Sequence, residues 1–386
     1  MPVLRRLFQS TLAALLAAVT LTGCFTAPTP PPVSAPSPLM DGGWVGHRQS
    51  LTAAGASPTT RIGGIVDDPA GCLSMVGSDH SRRPATGIVW TATADCTTLS
   101  TQWQASTEFE TGTELTDITV LPTKQLIAVG HSLDNDSTPA IAMVAIRDLD
   151  GRWNTTALLG RSAGGPVSAL GIERSESSLV IAGSVDDKAA VWHAPSSTDD
   201  FTLTELPVDD DFVSGQASHI AVVAGTVVVT GRGTDDDGGS TTLVWRSTDG
   251  GQTWNEVELP GDTADLFRIS TVTVTDSDLF FAAGQTRAES AGYAMTSSDG
   301  VDWESVPVPD TGSMDVAIPQ SDGSVLVTAR PLDEHAPCGM VGFAWTTQAW
   351  LDVELPCSEP GEAAGARLSN GTIALLLGNE LWLNEA

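Results

Sequence analysis

Short apolar runs that end in a small residue recur along the chain. Six of these runs end in glycine and the remaining slot holds alanine: Gly77, Gly130, Gly183, Gly231, Gly284, Ala329 and Gly378. Further short apolar runs follow each one, separated by Gly, Asp, Ser and Pro, which is typical of β-strands joined by turns. The pattern predicts a repeat of about fifty residues, each made of four short strands.

Two further columns of large apolar residues support the repeat. The first column follows the glycine column: Trp90, Ile146, Trp192, Trp245, Met295, Trp345 and Trp382. The second lies in the next segment: Trp103, Trp153, Phe201, Trp254, Trp303 and Trp350. Ten of the eleven tryptophans fall in these two columns, so tryptophan is predicted to pack the repeats against one another.

Seven repeats of this kind predict an all-β fold, a single seven-bladed β-propeller of four-stranded antiparallel blades over residues 42–386. A parallel β-helix is the rival, but its rungs are much shorter than this repeat. The last repeat stops one strand short at Ala386. We therefore expect the N-terminal strand, from Trp44 onward, to close the last blade.

The first 41 residues are predicted to be an address and a tether. Arg5 and Arg6 precede an apolar run that ends in Leu-Thr-Gly-Cys at Cys24. This segment resembles the signal peptide and lipobox of bacterial lipoproteins, which implies cleavage after residue 23 and lipidation of Cys24. A twin-arginine export route stays open beside the general one. Residues 24–41 are rich in proline and read as a stiff spacer.

The predicted location and the net charge of the protein limit the molecules that it can bind. The lipobox resemblance implies a location on the outer side of a bacterial cell membrane, with the lipid bilayer as the first partner through acyl chains on Cys24. The net charge is −30, and nucleic acid is excluded because its phosphates need a basic surface. The further partner is expected to be an envelope protein or an acidic glycan, bound by a monomer.

Four cysteines remain beside Cys24, in a compartment that permits disulfides. Cys72 begins the second strand of the first repeat and Cys96 ends its third strand. Cys338 and Cys357 flank the third and fourth strands of the sixth repeat. Antiparallel neighbours bring each pair together, so the sequence predicts the disulfides Cys72–Cys96 and Cys338–Cys357.

Two turns between third and fourth strands share a motif. The residues that define it are Ser247, Asp249, Gly251 and Trp254 in one copy, and Ser297, Asp299, Gly300 and Trp303 in a copy one residue shorter. They resemble the BNR/Asp-box repeats of sialidase-like propellers. That family places its Asp boxes on the face opposite the active site, so these residues are expected to be structural.

The opposite face, which carries the loops between strands two and three and between blades, is expected to be functional. Arg61, Arg268 and Arg367 are each predicted to stand immediately before an innermost strand. The sialidase resemblance implies that three such arginines hold a carboxylate, so they are candidates for anion binding; ion pairs with acidic loops are the alternative. A sialidase also needs a tyrosine nucleophile. The only tyrosine, Tyr293, lies in a third strand.

No cofactor is expected. Oxygen-rich acidic loops leave Ca²⁺ as the one alternative, although no EF-hand spacing is present, and His80, His131 and His335 lack zinc-ligand spacing. No catalytic residue is assigned. The sequence favours a membrane-anchored, non-enzymatic binding or assembly module of the cell envelope. The alternative is a sialidase-like protein that binds or hydrolyses a glycan through arginines at the channel mouth.

Overall fold

The chain forms seven antiparallel sheets of four strands each, in a computed structural model. The structure describes residues 44, 49–50 and 59–384, with gaps at 70–71, 82–83, 93–102, 135–137, 159–164, 176–177, 196–199, 210, 261–265, 288–289, 334, 359–360 and 379. Cys24, the predicted lipidation site, lies outside these residues, as do the predicted tether and Cys96. No helix in the described part of the chain is long and apolar enough to cross a bilayer.

Six blades are built from consecutive strands, numbered from the innermost outward. Blade 1 contains β2 (Thr60–Asp67), β3 (Leu73–Asp79), β4 (Thr86–Ala92) and β5 (Trp103–Thr111). Blade 2 contains β6 (Thr113–Val120), β7 (Leu126–Asp134), β8 (Thr138–Arg147) and β9 (Trp153–Ala157). Blade 3 contains β10 (Val167–Arg174), β11 (Ser178–Val185), β12 (Lys188–Pro195) and β13 (Thr202–Glu205).

The remaining blades follow the same plan. Blade 4 contains β14 (Phe212–Val223), β15 (Thr226–Asp235), β16 (Ser240–Ser247) and β17 (Asn255–Glu256). Blade 5 contains β18 (Leu266–Val274), β19 (Phe280–Thr286), β20 (Gly292–Ser297) and β21 (Glu304–Val306). Blade 6 contains β22 (Met314–Pro319), β23 (Val325–Ala329), β24 (Val341–Trp345) and β25 (Trp350–Val353).

Blade 7 joins the two ends of the described chain. Its inner strands are β26 (Ala363–Arg367), β27 (Ile373–Leu377) and β28 (Glu380–Asn384), and its outermost strand is β1 (Gln49–Ser50). Gln49 pairs with Leu381 and Ser50 with Glu380. The innermost strands contact one another in a closed cycle that includes β26 and β2. The prediction of seven blades closed by the N-terminal strand is confirmed.

The core is divided into seven clusters, one between each pair of neighbouring blades. Trp90, Trp192 and Trp245 are fully buried in three of them, and the partly buried Trp44 and Trp382 pack in the cluster between blades 6 and 7. Each sheet is therefore apolar on both faces, which explains runs of adjacent apolar residues where a half-exposed strand would alternate.

Two disulfides and an ion pair reinforce this packing. Cys338 and Cys357 form a disulfide within blade 6, with their Cα atoms 4.9 Å apart. Cys72 is also disulfide-bonded, and its predicted partner lies outside the described residues. Between blades 1 and 2, Arg147 donates to both carboxylate oxygens of Asp68, with Nη1–Oδ2 at 2.7 Å and Nη2–Oδ1 at 2.6 Å.

Candidate functional site

A cavity of about 620 Å³ opens where the innermost strands begin, at one end of the central channel. It is lined by the first residues of innermost strands, such as Arg61 on β2 and Arg268 on β18, and by the last residues of second strands, such as Arg232 on β15. All seven blades contribute to its wall. This is the channel-mouth cavity, and it lies on the face that carries the loops between second and third strands.

A β-bulge recurs at the same place in six innermost strands. The pairing register with the second strand shifts across one residue in each of blades 1 to 6: Gly63, Thr116, Leu170, Ser218, Ser270 and Asp315. All six bulge residues line the channel-mouth cavity. A bulge re-aims a side chain and leaves the bulged residue unpaired, so five blades turn a side chain toward one space and blade 1 presents the backbone of Gly63 there.

The bulge also explains the glycine column of the sequence. In five blades a Cβ on the column glycine would overlap the backbone carbonyl oxygen of the residue two before the bulge, as at Gly130 against Glu114 and Gly231 against Gln216. Only a residue without a side chain permits this approach. In these five blades the bulge on the neighbouring strand therefore accounts for the column glycine.

Four arginines surround the channel-mouth cavity: Arg61, Arg232, Arg268 and Arg330. Two of them, Arg61 and Arg268, are among the three candidates from the sequence. The other two were missed. Arg232 and Arg330 each follow a column residue, Gly231 and Ala329. The signal that could have found them is this position directly after the column, because the second strand passes the mouth there.

Three carboxylates share the cavity with these arginines, and only some of the charges are paired. Arg330 Nε lies 2.9 Å from Asp315 Oδ2, whereas Arg61 Nε lies 3.8 Å from Glu362 Oε1 with both side chains more than half exposed. Arg232 and Arg268 form no ion pair with another described residue. The mouth is therefore a cationic region of an otherwise acidic protein.

The expectation that Arg367 joins this cluster is wrong. Arg367 is the last residue of β26, and its Nη1 lies 3.1 Å from Oδ2 of Asp276, in the turn between β18 and β19. Both groups lie at the other end of the channel. Arg367 ends the innermost strand of blade 7, and innermost strands begin at the mouth. Its guanidinium therefore lies at the far end of the channel.

The third carboxylate of the cavity, Glu114, holds two histidines. Its Oε2 lies 3.3 Å from His131 Nε2, and its Oε1 lies 3.5 Å from His80 Nδ1. The hydrogen bond with His131 lowers the pKa of Glu114 despite its partial burial. The Glu114 carboxylate thus already has two partners within the protein, His131 and His80. The guanidinium groups of Arg232 and Arg268 stay available to a ligand.

Groups deeper in the ring are kept neutral or tightly bonded. Removal from water lowers the pKa of His219 to about 4, and the Arg268 guanidinium acts in the same direction. Burial raises the pKa of Asp117 to about 7. Asp117 accepts backbone N–H groups from Ile118 at 2.8 Å and from Ile172 at 2.9 Å, which joins β6 to β10.

The only tyrosine lies away from the cavity. Tyr293 is in β20, the third strand of blade 5, and its hydroxyl lies 2.6 Å from Ser305 Oγ on the outermost strand. It does not line the channel-mouth cavity. A tyrosine nucleophile of the sialidase kind therefore has no counterpart at this mouth.

The two Asp-box turns lie at the opposite end of the blades, between β16 and β17 and between β20 and β21. Asp249 Oδ1 accepts the N–H groups of Gln252 at 3.0 Å and Thr253 at 2.9 Å, and Gly251 has φ +95°. Burial opposes ionisation, but these bonds and the Thr253 and Ser247 hydroxyls lower the pKa of Asp249 to about 2. Its hydrogen bonds stay within its own turn.

The shorter box is built in the same way. Asp299 Oδ1 accepts the Val301 N–H at 2.8 Å, and Ser297 Oγ accepts the Gly300 N–H at 2.8 Å. The Trp303 ring is buried and donates from Nε1 to Gly300 O at 3.3 Å. Among the described residues no group of His, Cys, Asp and Glu is arranged to hold a metal ion.

No protein-family model matches the chain, and no curated protein matches its sequence. The chain is similar in structure to the β-propeller domain of the Trilobed protease from Pyrococcus furiosus, with a TM-score of 0.51 and 10% identity over 84% of this chain and 94% of that one. The chain has the β-propeller fold.

Two enzymes lie further away. A Hadza microbial sialidase has a TM-score of 0.46 and 13% identity, over 69% of this chain and 64% of its own. A gluconolactonase from Xanthomonas campestris has a TM-score of 0.40 and 14% identity, over 74% of this chain and 88% of its own. At these identities the likeness concerns the fold alone.

Proposed function

We propose that this protein is a non-enzymatic binding module of the bacterial cell envelope, anchored through Cys24, that recognises a carboxylate-bearing ligand at the channel-mouth cavity. One observation carries the proposal. Four arginines meet three carboxylates at a single cavity of a chain whose net charge is −30. Arg232 and Arg268 form no ion pair with another described residue, so an anionic ligand would complete their charge pairing.

The chemistry of the channel-mouth cavity fits this ligand class. Guanidinium groups bind carboxylates through two parallel N–H···O bonds, and they stay charged at any physiological pH. Arg232 and Arg268 have no ion-pair partner among the described residues, so their donors are free for a ligand. The cavity volume of about 620 Å³ falls within the usual range for sites of small organic ligands.

Titration calorimetry on residues 42–386 tests the proposal, with glucuronic acid as the probe and glucose as the uncharged control. We expect binding of the acid alone, and a loss of about tenfold or more for Arg268→Ala and Arg232→Ala. Arg174→Ala is the matched control, because Arg174 is exposed at the other end of β10. Equal binding of acid and glucose, or no effect of the two cavity variants, would contradict the proposal.

Hydrolysis of a glycan is the second candidate function, and one observation favours it. Two carboxyls of the same cavity have pKa values moved in opposite directions. The cavity wall partly removes Glu362 from water and raises its pKa, although about half of its side chain stays exposed, and the His131 hydrogen bond lowers the pKa of Glu114. Such divergence is typical of an acid and base pair. Turnover of fluorogenic glycosides that Arg268→Ala and Glu362→Gln both abolish would favour this function over simple binding.

A further inference from the structure

A second, smaller cavity of about 140 Å³ lies between blades 3 and 4 on the same face. Hydroxyl groups dominate its wall: Ser184 at the end of β11, Ser214 on β14 and Thr234 on β15. Asp187, in the turn between β11 and β12, lines one side. We call it the side cavity.

The side cavity is continuous with the channel-mouth cavity, because Gln216 and Arg232 line both. By itself it is smaller than the roughly 300 Å³ at which sites for small organic ligands begin. It therefore suits a part of a ligand whose remainder occupies the channel mouth. Arg232 stands at the junction, where one guanidinium can contact both parts.

The wall of the side cavity combines a fixed frame with free polar groups. The Gly215 N–H donates to Asp187 O at 2.7 Å, and Ser168 Oγ lies 2.9 Å from Ser184 Oγ, so two sides are held by internal hydrogen bonds. The side chains of Ser214, Thr234 and Gln216 bond to no other described residue. These three groups offer both donors and acceptors toward the cavity.

We propose that the side cavity is a subsite for a neutral, hydroxyl-rich sugar, and that the ligand is an acidic oligosaccharide of at least two units. This inference rests on the proposed function, which places the acidic unit at the channel mouth. Hydroxyls, an amide and a carboxylate match sugar hydroxyl groups, which both donate and accept. Asp187 would repel a second acidic unit, so the geometry favours a glycan in which acidic and neutral units alternate.

Calorimetry with three probes tests the subsite: glucuronic acid, a hyaluronan tetrasaccharide of alternating glucuronic acid and N-acetylglucosamine, and trigalacturonic acid, in which every unit is acidic. We expect the tetrasaccharide to bind about tenfold more tightly than glucuronic acid, since a few added hydrogen bonds supply that factor. Trigalacturonic acid is expected to gain no more than about twofold, because of Asp187.

The double variant Ser214→Ala/Thr234→Val removes the two free hydroxyls at little change of volume. We expect it to reduce the tetrasaccharide affinity to that of glucuronic acid and to leave glucuronic acid binding unchanged. Thr241→Val is the matched control, because Thr241 is exposed on β16 and lines neither cavity. Melting temperatures of all variants confirm that they fold.

The outcomes separate this inference from the function on which it rests. If glucuronic acid binds but the tetrasaccharide gains nothing, the subsite is wrong and the proposed function stands. The same holds if the double variant keeps the gain, or if trigalacturonic acid gains as much as the tetrasaccharide. If no acidic probe binds, both proposals are wrong.

Discussion

The ion pair between Arg147 and Asp68 is expected to be a main support of the contact between blades 1 and 2, and Arg147→Ala tests it. The Asp68 side chain has no exposed surface, and that of Arg147 is 12% exposed. Ser74 Oγ also donates to Asp68 Oδ2, at 2.7 Å. Removal of Arg147 would take the guanidinium and its two hydrogen bonds away from a buried carboxylate.

Two estimates of the loss agree. Each hydrogen bond between charged groups contributes about 1.5–3 kcal/mol, and Arg147 makes two with Asp68. Breaking a buried ion pair by removal of one partner costs about 3–5 kcal/mol in total. We therefore expect Arg147→Ala to lower the free energy of unfolding by about 3–5 kcal/mol.

Urea unfolding followed by tryptophan fluorescence measures this change. Arg174→Ala is the control, and we expect a change within about 0.5 kcal/mol, since Arg174 is exposed. The double variant Asp68→Asn/Arg147→Met should recover part of the loss, because no buried charge remains. A loss below about 1 kcal/mol for Arg147→Ala would refute the reasoning, as that is the size of a surface pair.

Four further changes give distinct signatures. Because folding raises the pKa of Asp117 to about 7, stability should fall as pH rises from about 4 to about 7, and Asp117→Asn should flatten this decline in urea unfolding. The pKa of Asp249 is lowered to about 2, so Asp249→Asn should lose the stability that the native turn has above about pH 4 and loses toward pH 2. Gly231→Ala forces a Cβ against the Gln216 carbonyl and should weaken glucuronic acid binding together with stability. Deletion of residues 41–50 removes β1 and Trp44 from blade 7 and should lower the melting temperature sharply.

Each of these expectations has an outcome that contradicts it. If the stability of Asp117→Asn depends on pH in the same way as that of the unmodified protein, the buried Asp117 carboxyl is not the cause of the decline. If Asp249→Asn unfolds in acid at the same pH as the unmodified protein, the hydrogen bonds to the Asp249 carboxylate do not contribute to the pH dependence of stability. If Gly231→Ala binds glucuronic acid normally, the geometry of the bulge does not affect ligand binding. An unchanged melting temperature after the deletion would rule out a stabilising closure.

The blades could be predicted from the sequence because their packing requires large apolar residues at regular intervals along the chain. Trp192 and Trp245 are one repeat apart because they fill equivalent gaps, Trp192 between blades 2 and 3 and Trp245 between blades 3 and 4. The role of Trp44 was also visible, since the last repeat lacked a strand and the one tryptophan outside the columns lay near the N-terminus. Burial on both faces leaves little freedom, so the residue types follow the fold closely.

The site could be predicted only in part, because its residues obey no packing rule. Arg232 and Arg330 are exposed and leave no hydrophobic trace. Arg367 was misplaced because β26 reads Ala-Ala-Gly-Ala-Arg, a run too weakly apolar to be taken as a strand from its sequence. Arg367 was therefore taken to precede the innermost strand of blade 7, whereas it is the last residue of that strand.

The six bulges have a consequence for how such a protein can diverge in evolution. Thr116, Leu170 and Asp315 occupy the same place in three blades, yet they differ in charge, size and polarity. Each lines the cavity, while the clusters that hold neighbouring blades together are built from other residues. Substitution of a bulge side chain can therefore alter what the protein recognises while the apolar clusters between the blades keep their composition. Duplicated blades thus become independent positions for natural selection, and related propellers can keep one scaffold while they exchange ligands.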